Sequence, residues 1–84
     1  MEPLIVRWLI QLRLNDGRLP RGRLTDLIER PGDQRVCDGC GMFITKAQQA
    51  VTGMIADDWR EIRLHINCFK VWDVARLEDH EYRG

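Results

Sequence analysis

Two residue pairs, Cys37-x2-Cys40 and His65-x2-Cys68, constrain this chain more than anything else in it. Twenty-four residues separate them, and together they use every cysteine of an 84-residue sequence. A chain this short buries only about 60% of the surface its unfolded form exposes. Its apolar core alone is marginal, and a staple is expected. Three cysteines make an odd count, which fits a disulfide framework poorly. A tetrahedral zinc ion takes four ligands, and three thiolates with one imidazole form one of its usual structural sets. A C-x2-C turn can bring two sulfurs to one ion. Residues three apart at the start of a helix share a face, so His65 and Cys68 can supply the other two. Gly39 and Gly41 suit the tight backbone path around the metal. The expectation is one structural Zn2+ per chain, held by Cys37, Cys40, His65 and Cys68.

Other chemistries fit less well. A redox dithiol at Cys37 and Cys40 calls for a strand before the pair and a βαβ setting, and neither is visible. An iron–sulfur cluster is disfavoured by the histidine. A catalytic zinc keeps one position open for water, whereas four protein donors close this one. The deaminase arrangement needs His ahead of the Cys pair and Glu two residues after it. Here the order is reversed and position 67 is Asn. No enzyme activity and no small-molecule substrate are expected.

Around the ligands, the pattern reads as an α+β, treble-clef-like finger with an added N-terminal helix. The whole chain, 1–84, is expected to be one domain. Residues 1–17 read as a helix. Pro3 suits its first turn, Leu4, Ile5, Trp8, Leu9 and Leu12 form one apolar face, and Val6, Ile10 and Leu14 form a second strip. Asn15-Asp16-Gly17 is its stop signal. Residues 18–36 read as a basic loop with one short helical turn in "LTDLIERPG", ended by Pro31. Residues 37–84 read as the finger. The knuckle comes first, then a two-stranded hairpin of roughly 49–56 with 60–65 turning at Asp57-Asp58. A helix follows from His65 to about Glu81. Phe69 and Trp72, one turn apart, are expected in the core around the metal. His80 is expected to be solvated.

The quoted stretches "DGRLPR", "CDGC" and "LHINCFKVW" resemble motifs of a group of short, mostly uncharacterised bacterial proteins. Those carry an N-terminal helix, a DGRLP element, a CDxC knuckle and an HxxCFxxW helix start. The resemblance implies a cytoplasmic zinc-binding protein with no known enzyme activity. The finger is also similar in part to LIM domains, which bind proteins, and to the poly(ADP-ribose) polymerase type, which binds DNA ends. The second zinc site of LIM domains is missing here.

Charge narrows the partner classes. Thirteen basic and thirteen acidic residues cancel, which argues against bulk capture of nucleic acid or anionic membrane. Residues 1–36 hold seven arginines against five acids, and the remainder is acidic. The longest apolar stretch, Leu4 to Leu14, is interrupted by Arg7, Gln11 and Arg13 and is too short to span a bilayer. The start has no basic segment of an export signal, so the cytoplasm is the expected compartment. The expected function is a small adaptor or regulator that binds protein, or a second copy of itself, through the N-terminal helix at Val6, Ile10 and Leu14. Trp59 is either a further contact residue or is covered by that helix. The runner-up is nucleic-acid binding through Arg18, Arg21 and Arg23, joined by Lys46 and Arg63, with Arg7 and Arg13 adding charge.

Overall fold

The computed structural model describes residues 3–55 and 59–83, with side chains described for 4–55 and 59–77. The Asp57-Asp58 turn and the His80 side chain lie outside these. Five elements follow in order: α1 (Pro3–Asn15), β1 (Leu24–Pro31), β2 (Gln49–Ile55), β3 (Glu61–His65) and α2 (Ile66–Arg83). The class is α+β: two helices and a three-stranded antiparallel sheet in the order β1-β2-β3.

Helix α1 begins at Pro3 and ends at Asn15, the first residue of the expected stop signal. Its orientation corrects the expected division of faces. Ile10 and Leu14 are 0% and 2% exposed, and Val6 packs against the same core. The strip expected to bind a partner is therefore the inward one. Leu4, Ile5, Trp8 and Leu12 face outward, with Leu4 and Trp8 at 78% and 62% exposure. The helix is apolar nearly all round, so periodicity alone does not distinguish the covered side from the open one.

Residues 24–31 form a strand, where a helical turn is expected from sequence. The local capping residues Thr25 and Asp26 are outweighed by pairing along the edge of β2, from Leu24↔Ile55 to Pro31↔Gln49. Pro31 closes the strand at an edge, where its missing N–H is tolerated. The register slips between Thr25 and Ile28, where Asp26 takes φ 54°. That is a β-bulge, and it folds Leu24 and Leu27 over Gly53 of β2. The expected hairpin is present as β2 with β3, in register from Ala50↔His65 to Met54↔Glu61. Trp59, at its turn, is 74% exposed and uncovered by α1.

One core joins the two helices, the sheet and the knuckle. It holds Ile10, Leu14, Leu19, Ile44, Ile62, Leu64 and Trp72 together with all three cysteines. Leu19 and Pro20 belong to the segment expected as loop, yet Leu19 is 1% exposed and the Pro20 carbonyl accepts a 2.9 Å hydrogen bond from the Trp72 indole N–H. The "DGRLP" and "CFKVW" stretches thus meet in space. Arg76 lies 4.9 Å over the Trp72 ring and pairs with Asp73 at 2.7 Å. Phe69 sits 5.6 Å from Trp72 between ring centroids.

Candidate metal centre

The knuckle is built by local hydrogen bonds. Val36 and Phe43 pair across its base. The Cys37 N–H donates to Met42 O at 2.8 Å and the Gly41 N–H to Cys37 O at 3.0 Å. Gly41 takes φ 80°, a region other residues adopt only at a cost. At Gly39 the reason for glycine is space, because a side chain there would meet Leu64, Cys68 and Ile10 at 3.0–3.3 Å. The first residue between the cysteines stitches the turn to the sheet. Asp38 N–H donates to Arg63 O at 2.8 Å, and Asp38 Oδ2 accepts from Arg63 N–H at 2.7 Å. Arg63 stands two residues before His65, so this pairing sets the knuckle beside the histidine. From the other side, the Arg13 guanidinium donates to the Gly39 carbonyl. Cys68 follows in the first turn of α2.

These elements bring Cys37, Cys40, His65 and Cys68 together as a group that can hold a metal ion, with one donor atom of each within 4.8 Å of the others. The three cysteines are buried and unbridged. His65 turns Nδ1 toward the sulfurs, 3.5 Å from Cys40 Sγ and 3.7 Å from Cys68 Sγ. Backbone amides point at Cys37 Sγ, from Gly39 at 3.3 Å and from His65 at 3.5 Å. Such amides favour a thiolate.

The three thiols divide accordingly. The Cys68 thiol donates to Cys37 and, with the backbone amides, pulls the Cys37 thiol down to about 4 despite its burial. The same hydrogen bond, together with burial, pushes Cys68 up, and burial pushes Cys40 up. In this folded arrangement negative charge is favoured on Cys37 and disfavoured on Cys40 and Cys68. A metal ion binds the thiolate form, so its arrival displaces thiol protons. The expected result is an apparent metal affinity that falls as pH falls. Calorimetry in buffers of different ionisation enthalpy counts those protons, and release of none would contradict ligation through the cysteine thiolates.

The remaining sequence candidates do not converge on the group. Arg18 pairs with Asp16 at 3.5 Å, and Arg21 donates to Asn15 Oδ1 at 3.1 Å. Arg23 and Lys46 are exposed. Arg63 has a side chain only 15% exposed, paired with Glu61 at 2.9 Å and Asp33 at 3.8 Å, so it is no open cation. Arg13, expected to add surface charge, is spent on the knuckle. Asp38 and the docking role of Arg13 escape sequence reasoning. The position of Asp38 inside C-x2-C is a local signal for the first, and nothing local marks the second.

A groove of about 640 Å³ runs along one side of the group, lined by Val6, Met42, Phe43, Lys70 and Val71 among others. Among the described residues, no carboxylate lines it. No described helix is long and apolar enough to cross a membrane. Compared with known proteins, the chain matches no family model, no curated sequence and no solved structure.

Proposed function

We propose that this chain is a non-enzymatic, treble-clef-like zinc finger of the cytoplasm, whose single Zn2+ is structural and whose α1 outer face docks protein. The observation that carries the reading is the donor set: three sulfurs and one imidazole within 4.8 Å, the sulfurs buried in the core and the imidazole half-buried at its edge. Softness favours zinc for such a set, and four protein donors leave no position for an activated water. When bound, the ion supplies cross-linking of the knuckle to the β3–α2 junction and no reaction chemistry.

Docking rests on α1. Leu4, Ile5, Trp8 and Leu12 expose apolar surface along one face at helical spacing, a pattern that marks interfaces, and Trp is a frequent anchor. A second copy is the occupant we favour, because the face is self-complementary in chemistry and needs no charge partner. Nucleic-acid binding gains less support. Arg18 and Arg21 are held locally, and the cavity lined by Arg13, Arg18 and Arg60 also contains Asp38 and Glu61.

Native mass spectrometry tests both halves. The expected particle is a dimer with one zinc per chain, which Trp8→Glu splits into zinc-loaded monomers. A zinc-loaded monomeric wild type would reject self-association and leave a different protein as the occupant. A folded wild type with three free thiols and no zinc would overturn the finger.

A further inference from the structure

We infer that Gln48 positions His65 for the metal by fixing which ring nitrogen is free to bind; the inference rests on the zinc reading above. A neutral imidazole carries one N–H and one bare nitrogen, and its neighbours decide which is which. The Nε2 atom of His65 lies 3.2 Å from the Phe43 carbonyl oxygen and 3.2 Å from Gln48 Oε1. A backbone carbonyl can only accept. A glutamine amide could in principle be turned to present its NH2 group instead. Here it is not free to do so, because the same Gln48 oxygen is 2.9 Å from the Thr45 backbone N–H, which can only donate. Both neighbours of Nε2 are therefore acceptors, and Nε2 must hold the proton. Nδ1 is left bare, and it is the atom facing the Cys40 and Cys68 sulfurs. The opposite tautomer would set a lone pair against two oxygen atoms.

Gln48 is itself held in place. Thr45-Lys46-Ala47-Gln48 has the T-x-x-Q spacing of a capping box, in which the fourth side chain reaches back to the first N–H. The Gln48 N–H also donates to Thr45 O at 3.0 Å, and the Gln48 carbonyl accepts from Gly32 N–H at 2.8 Å. One turn thus links the end of β1, the start of β2 and the back of the metal ligand. Groups that orient a ligating histidine in this way typically change metal affinity by about 10- to 100-fold when removed.

Two measurements test the assignment. Long-range 1H–15N spectra of the zinc-loaded protein should show His65 with a proton on Nε2 and the metal on Nδ1; metal on Nε2 overturns the inference and leaves the zinc reading standing. Competition with a chromophoric chelator should show zinc affinity lowered about tenfold or more in Gln48→Leu and retained in Gln48→Glu, which keeps an accepting oxygen. Equal affinity in Gln48→Leu and wild type overturns the role of Gln48. If Gln48→Leu does not fold, Gln48→Glu decides, since binding weaker than wild type would contradict an acceptor role. A wild type that binds no zinc defeats the zinc reading as well, and shows itself before any substitution is made.

Discussion

Replacing Cys68 with serine, or removing the metal with a strong chelator, is expected to unfold this domain. The cysteines are not appended to a finished core. Cys37, Cys40 and Cys68 are 1%, 8% and 3% exposed and stand among the residues that constitute it. Without the ion, three sulfurs and an imidazole are left facing one another where apolar contact should be. The knuckle is then tied to the sheet chiefly through Asp38 and Arg63, and to α1 through Arg13. Binding of structural zinc contributes on the order of 10 kcal/mol in small fingers, as large as the whole stability of an ordinary domain. Circular dichroism against temperature should show a cooperative transition for the loaded wild type. It should show little structure for Cys68→Ser, Cys37→Ser or the chelated protein. The contrary result is equally clear. A Cys37→Ser variant that melts like wild type would mean the fold does not depend on a metal held by Cys37, the outcome the redox-dithiol alternative predicts.

The second large effect is expected at Trp72. This side chain is 1% exposed and is among the largest fully buried groups. It lies one turn beyond Cys68, which places it between the metal group and the segment after α1. Trp72→Ala removes the ring from the core, and the cavity adds to the lost transfer energy, a cost of about 3–5 kcal/mol. It also strips the Pro20 carbonyl of its indole donor and removes the surface on which Arg76 rests. Trp72→Phe keeps most of the volume and loses the hydrogen bond, so it should cost clearly less. Urea denaturation of the zinc-loaded protein measures both. If Trp72→Ala cost under about 1 kcal/mol, far below the range for a buried tryptophan, the packing of Leu19 and Pro20 onto α2 would have to be wrong.

Parts of this architecture are legible in the chain as a string. The ligand set is one, because C-x2-C and H-x2-C are local spacings, although His65 ends β3 and only Cys68 lies in the first turn of α2. The β2–β3 hairpin is another, since Ile62 and Leu64 alternate with polar neighbours and both are buried. The extent of α1 is a third, marked by Pro3 and Asn15-Asp16-Gly17. By contrast, β1 is hidden. Most of its side chains are exposed, so no alternation betrays it, and its strand state comes from backbone pairing with β2. The motif resemblance is supported as far as a Cys3His metal group, without a family match behind it.

The chemistry of the site was therefore written in the sequence by itself: four donors, their softness and the two short spacings that deliver them in pairs. Tertiary structure alone decided three other matters. It chose which side of α1 is covered, because Val6, Ile10 and Leu14 and the opposite strip are equally apolar and only packing against α2 and the knuckle distinguishes them. It put Arg13 on the knuckle rather than on the surface. It also set the His65 tautomer, through a glutamine seventeen residues away. Local spacing encodes what neighbours along the chain can do together. Contacts between distant segments depend on the path of the backbone between them, which no short pattern records.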